Sequence, residues 1–241
     1  MRSNLIRTQF IALLIVGVAF SALGQIDRGA RESVNLNTWS QLLAEPNGDP
    51  VRQRSGVHSD GSPFSYEEWM PAAIHLSNGK VLENVLVRLN LVAQEIHYMS
   101  EAYGKEMVAY GGTVKELFVA EPRDNQMITR KYSFKKLDGT KSYLCEHLVE
   151  GKATLLRSTV KRELTDKAYN SATVNIIFQE DTDYYVQTDA GFAKVNKRKS
   201  NLAELLPGKS AELQAFIAQK KLKLKSEEQM AELVTYYNSL Q

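Results

Sequence analysis

The side chains with the widest chemical range in this chain are four histidines, His58, His75, His97 and His147, and the single cysteine, Cys145. Nucleophilic catalysis needs a serine or thiol beside a base that a third group orients. His58-Ser59-Asp60 holds those residue types, but neighbours in a polar loop do not hold triad geometry, and a polar loop is the expected role. No Gly-x-Ser-x-Gly elbow occurs. Cys145 lies in Tyr143-Leu-Cys-Glu-His-Leu-Val149, a strand pattern without a cationic, exposed setting, so it reads as a packed strand residue. His147 shares its strand face and is the one neighbour that argues for reactivity. No catalytic residue is assigned.

The histidines are also too scattered for His-x-x-x-His or zinc-ribbon spacing. His75 and His97 fall on nearby strands and could approach each other, although strand-surface histidines are the plainer reading. Asp181-Thr182-Asp183 resembles a fragment of a calcium loop but lacks the spaced acids and glycine of an EF-hand; a hairpin turn is expected. No glycine loop is built to cradle phosphate, so neither metal nor cofactor is assigned. Two basic runs remain, Lys197-Arg198-Lys199 and Lys220-Lys221-Leu222-Lys223-Leu224-Lys225. Lysines at a helix end complement its dipole, as Glu227-Glu228 complement the start of the next helix. The competing reading is a patch that contacts an anionic envelope polymer.

These residues sit behind a targeting segment. Arg2 and Arg7 precede the apolar core Phe10–Phe20, and Ala22-Leu23-Gly24 places small residues at the −3 and −1 positions, so cleavage after Gly24 is expected. The apolar run is shorter than the roughly 20 residues of a membrane span. Gln25, not cysteine, would begin the mature chain, which argues against a lipid anchor. One cysteine makes no intrachain disulfide, so the exported fold depends on its core. Cleavage removes two of the 30 basic residues and none of the 28 acidic ones. The mature chain is then neutral, with no general attraction to nucleic acid or anionic membrane. Localisation in the periplasm or outside the cell follows, with no transmembrane anchor after cleavage.

The elements expected to position the chemistry are mostly β. Residues 25–68 read as loosely ordered, with a short amphipathic helix at Thr38–Leu43 and a polar run after it. Residues 69–122 read as a five-strand meander. Ala72, Ile74 and Leu76 alternate up to Asn78-Gly79, which predicts a two-residue type I′ turn with positive φ at both positions. Val81, Val85, Val87 and Leu89 then share one face. Further strands are expected at Glu95–Met99, Met107–Tyr110 and Val114–Ala120, with Pro122 ending the ladder because it has no amide hydrogen. Residues 123–199 form a second β-rich block: Ile128–Phe134, Ser142–Val149, Ala153–Arg162, Thr173–Phe178, Tyr184–Thr188 and Phe192–Val195. Residues 200–241 form a helical tail, with Ser200, Ser210 and Ser226 as caps. Ser226 and Gln229 have capping-box spacing, and Met230, Leu233, Val234 and Tyr237 make one apolar stripe. The fold class is α+β, mostly β: antiparallel meander sheets, as a sandwich or curved half-barrel, with C-terminal helices packed on them.

Asn78-Gly79-Lys80 with Asn84-Val85, Leu148-Val-Glu-Gly151-Lys-Ala-Thr-Leu-Leu156, Asp183-Tyr-Tyr-Val186 and the closing Tyr236-Tyr237-Asn238 together resemble a broad family of exported, β-rich bacterial proteins of unknown function. The resemblance covers roughly residues 70–241 and rests on turn and packing residues. It implies a β-rich exported fold and brings no catalytic residue.

Two functions fit this reading. One is a non-catalytic contact module of the envelope or exterior, whose partner is an envelope or extracellular protein or an anionic envelope polymer. Tyrosines such as Tyr184, Tyr185, Tyr236 and Tyr237 could supply contact area. The other is a carrier of a small apolar ligand in a cavity between sheet and helices.

Overall fold

The computed structural model describes residues 57–101, 103–109, 111–166 and 174–240, all within the compact unit Asn35–Gln241. The expected leader at residues 1–24 and the amphipathic segment at Thr38–Leu43 lie outside the described residues. Eleven strands follow one another: β1 (Val57–Asp60), β2 (Met70–Leu76), β3 (Val81–Asn90), β4 (Glu95–Ser100), β5 (Lys105–Ala109), β6 (Val114–Arg123), β7 (Gln126–Lys135), β8 (Tyr143–Val149), β9 (Thr154–Asp166), β10 (Val174–Thr188) and β11 (Gly191–Lys194). A 3-10 turn (Asn201–Leu205) and two helices, α1 (Ser210–Lys220) and α2 (Glu227–Ser239), close the chain.

The chain is mostly β, and its strands make one sheet rather than a two-sheet sandwich, in the order β1-β10-β9-β8-β7-β6-β2-β3-β4-β5, with β11 also on β10. All pairings are antiparallel except β1 with β10. His58-Ser59-Asp60 is therefore part of a parallel edge strand, not a loop. A sequential meander would place β6 beside β5. Instead β6 pairs with β2, Ala72 opposite Val119 and Ile74 opposite Leu117. Ala72, Ile74 and Leu76 are all buried and gain a neighbour on each side, while the short, charged β5 suits an edge.

Local details also depart from the sequence pattern. Gly79 has φ +86, but Asn78 is not left-handed. Gly79 N donates to Leu76 O at 3.0 Å and Leu76 N to Lys80 O at 2.8 Å, so the turn has three residues, with Gly79 as the left-handed closing position. Asn84 takes φ +56 beside a register shift between Ala72 and Ile74. That bulge reverses the alternation: Leu82 is buried and Val81 points out, while Val85, Val87 and Leu89 face inward. Pro122 does not end the ladder. It pairs with Met127 inside β6, and a two-residue turn at Asp124-Asn125, φ 48 and 63, leads straight into β7. Pro122 lies one pair in from that turn, where the amide points away from β7, and β2 has already ended on that side. Asp181-Thr182-Asp183 is not a turn either. It runs through the middle of the 15-residue β10, opposite Val160, Thr159 and Ser158, which joins two expected strands into one.

The sheet curls without closing into a barrel. Gln94, in the β3–β4 turn, donates to Thr159 O at 3.0 Å and accepts from Leu144 N at 2.9 Å. Leu91 O accepts from Lys161 N. These bonds bring the turn onto β8 and β9, strands well removed from β3 and β4 in the sheet order. The inner face of β2–β8 buries Ile74, Val87, Leu89, Tyr98, Leu117 and Val119 against one another. A second cluster forms where Leu155, Val186 and Tyr184 meet Leu202, Leu213 and the α2 stripe of Met230, Leu233, Val234 and Tyr237. Burying each large side chain of that stripe recovers on the order of 1.5–3 kcal/mol.

The caps are mixed. Ser226 Oγ accepts from Gln229 N at 3.4 Å as expected, but the Gln229 side chain accepts from Lys223 N instead of reaching back. Neither Ser200 nor Ser210 caps: Ser200 is left-handed, and Lys209 occupies the N-cap of α1.

Both ends of α2 are fastened to the sheet. Asn238 Oδ1 accepts from Ala153 N and its Nδ2 donates to Ala153 O, each at 2.9 Å. At the other end, Glu227 accepts from Arg157 and from Tyr184 OH, both at 2.9 Å. A Cβ on Gly151 would lie 2.4 Å from Asn238 Nδ2, so a side chain here would push Asn238 off its hydrogen bonds to Ala153.

Gly79→Val, which has free space but the wrong φ, lowers stability by about 1–3 kcal/mol, and a variant that melts like wild type would refute the turn. Gly151→Ala and Asn238→Ala each lower the melting temperature. The clash needs the Asn238 side chain while the φ of +158 at Gly151 does not, so Gly151→Ala costs less in the Asn238→Ala background than in wild type; fully additive losses would show that the two residues do not touch.

Candidate functional site

Register brings one row of side chains across the inner face. Leu117, Tyr132, Glu146, Arg157 and Tyr184 stand opposite one another on β6 to β10. Apolar at its first member, the row turns charged at Glu146 and Arg157 and reaches the second core at Tyr184. A cleft of about 320 Å³ opens along this seam, with Tyr66, Glu121, Arg130, Glu146, Arg157 and Thr182 among its walls.

Its charges form an alternating chain. Arg130 donates through Nε to Glu121 and through Nη1 to Glu146. Arg157 donates through Nη2 to Glu146 and through Nη1 to Glu227 of α2. Glu146 is 5% exposed, a burial that a carboxylate tolerates only with such partners. Burial works against the Arg130 charge, but the hydrogen bonds it donates to Glu121 and Glu146 outweigh that and hold the guanidinium above its ordinary pKa. Tyr66 and Tyr132 share a hydroxyl–hydroxyl bond of 3.0 Å, and burial raises both phenols. Burial, helped by Glu227, pushes Tyr184 up to about 12. The walls therefore hold protonated phenols and mutually neutralised charges. Such a cleft can hydrogen-bond a polar group, and Leu89, Leu91 and Leu144 give its wall an apolar part as well.

The opposite face carries a second polar chain that spacing in the sequence did not reveal. Ser133 Oγ and His147 Nε2 are 2.7 Å apart, and His147 Nδ1 lies 2.8 Å from Glu150 Oε1. Lys131 bridges Glu150 and Glu116 at 2.7 and 2.8 Å, and Glu116 is 3.8 Å from His75. Burial lowers the His147 pKa despite Glu150, which keeps the ring neutral near pH 7. Nucleophile, base and orienting acid thus satisfy the mutual geometry of acyl-transfer catalysis. Access is what they lack. Ser133 is 4% exposed, flanked by Cys145 at 0% and Ser158 at 4%, and the cleft lies on the other side of the sheet. The chain ties β7 to the β8–β9 turn. Only the β7–β8 register unites Ser133 with His147, so no motif could have disclosed it.

The remaining candidates separate. Cys145 is fully buried, and burial pushes its thiol up to about 12, so it is a packed strand residue; it shares a face with His147, whose ring is held by Ser133 and Glu150. His75 packs against Phe118 with ring centroids 4.7 Å apart and planes tilted by 51°, two strands away from His97. His97 is buried beside Glu106 at 2.7 Å. Arg88 donates to both oxygens of Glu106 at 2.9 Å and lies 4.1 Å from the Phe64 ring and 4.3 Å from Trp69. Among the described residues no three His, Cys, Asp or Glu side chains converge to hold a metal. The side chains of His58 and Ser59 lie outside the described ones.

Glu106 generates a pH prediction. Burial acts against its charge, but hydrogen bonds from His97 and Arg88 outweigh that and depress its pKa below the ordinary 4.5. A depressed carboxyl stabilises the fold above its unfolded value, and that contribution is lost as pH falls through the folded value. The melting-temperature gap between wild type and Glu106→Gln is therefore widest near neutral pH and closes below about pH 4.5. A gap that stays constant down to low pH would contradict the pairing.

No family model, curated protein or solved structure matches this chain.

Proposed function

We propose that the chain is an exported, non-catalytic contact module of the cell envelope or exterior. One observation carries this reading over that of an apolar carrier: the space between sheet and C-terminal helices is filled. Leu202, Leu213, Met230, Leu233 and Val234 are each 0% exposed there. The cleft lies instead along the charged seam, where Arg130 and Arg157 are already paired with glutamates. An apolar ligand placed there would desolvate those groups without replacing their hydrogen bonds. Tyr184 and Tyr237, considered as contact surface, are buried, whereas Tyr185 and Tyr236 are partly exposed.

Native mass spectrometry of the exported protein, followed by solvent extraction, tests this reading. The expected mass is that of the bare chain from Gln25, with no apolar molecule in the extract. A stoichiometric lipid would promote the carrier. A mass that retains residues 1–24 would overturn export by cleavage.

A further inference from the structure

The two basic runs, more than twenty residues apart in sequence, lie side by side in space. Ser200 Oγ donates to Lys223 O at 3.0 Å, which ties the end of Lys197-Arg198-Lys199 to the segment that joins α1 to α2. Lys223 N donates in turn to Gln229 Oε1 at 3.1 Å, which fixes that segment to the first turns of α2. Leu222 packs on the second core and Leu224 is 3% exposed. The alternation of Lys221 to Lys225 thus turns leucines inward and lysines outward. Left-handed φ values at Ser200, Lys221 and Leu224, 53, 54 and 53, hold the two runs in this arrangement.

The resulting surface is strongly cationic. Residues 197–225 contain eight lysines and arginines against two glutamates, Glu204 and Glu212. Some of these cations are engaged: Lys197 lies over the Tyr184 ring, Lys209 is near Glu212 and Lys220 near Glu232. Arg198, Lys199, Lys221, Lys223 and Lys225 are exposed and belong to none of the ion pairs among the described residues. The α1 dipole accounts for the first of the run only, since its influence fades within the last turn and Lys220 is the basic residue there. It does not explain Lys223, Lys225, Arg198 or Lys199.

We propose that this surface binds an anionic polysaccharide, a chain with repeated carboxylate or phosphate groups. The inference rests on the contact-module reading and names its partner. Four of the five unengaged cations are lysines, compact point charges that read charge rather than shape. They spread over two exposed segments instead of converging in a pocket, which suits a repeating anion better than a small one. A membrane surface fits less well. Helices and loops that settle at a lipid interface add exposed apolar side chains to their charges, and here Leu222 and Leu224 are turned into the core. The neutral total of the mature chain does not oppose local binding, because screening confines each interaction to about 10 Å.

Fluorescence anisotropy with labelled polygalacturonate tests the proposal on the exported chain. Wild type binds, and more weakly as salt is raised. The triple variant Lys221→Gln, Lys223→Gln, Lys225→Gln, with an unchanged melting temperature, binds at least about tenfold more weakly and with a shallower salt dependence. Arginine at the same three positions restores binding. The proposal is overturned if the glutamine variant binds like wild type or if wild type ignores the polymer. It is equally overturned if wild type binds only vesicles containing phosphatidylglycerol. None of these results bears on whether the protein carries an apolar ligand, so a failure here is distinguishable from a failure of the contact-module reading.

Discussion

An open sheet with one apolar face must cover that face, and this constraint organises the molecule. The β2–β8 portion covers itself by curling, helped by Gln94, whose side chain hydrogen-bonds β8 and β9 from the β3–β4 turn. The β9–β10 portion cannot reach a second layer of strands, so the C-terminal helices supply one. That is why α2 is fastened at both ends. Asn238 satisfies the amide and carbonyl of the fully buried Ala153, groups that would otherwise cost about 1–3 kcal/mol each if left unpaired. Gly151 and Asn238, far apart in the chain, fit each other because a helix end and a tight turn must meet without a Cβ between them.

Between the two apolar regions the same face has to change character, and Glu146 marks the change. A buried carboxylate gains little net stability even when well paired. Its alternating partners do restrict geometry, however. Arg130, Glu146, Arg157 and Glu227 come from three strands and a helix, and a slip of any strand by one residue would reverse its side chains and leave charges unpaired. The seam fixes register where hydrophobic packing is interrupted. It also explains why paired charges stand beside leucines in the cleft along it.

The outer face shows how far hydrogen-bond geometry can imitate a catalytic site. Ser133, His147 and Glu150 stand at bonding distances, yet the serine is enclosed by its strand neighbours. Catalysis requires room for a reacting atom beside the nucleophile. These three side chains tie β7 to the β8–β9 turn.

The sequence by itself determined the strand content, the place of the Gly79 turn and the buried stripe of α2, because these depend on alternation, glycine placement and helical period within short windows. Val85, Val87 and Leu89 face inward as their spacing demands, and Met230, Leu233, Val234 and Tyr237 are all buried. Tertiary structure decided what local pattern cannot encode. Val81 points outward because the bulge at Asn84 is a property of the strand pair. Pro122 continued its strand because the neighbour on its amide side had already ended. Asp181-Thr182-Asp183 stayed extended because β9 offered partners along its whole length. The charged seam, the Ser133–His147 contact and the joined basic surface each assemble residues from separate elements. Strand register and loop docking bring those residues together, and both are settled only when the whole face is buried.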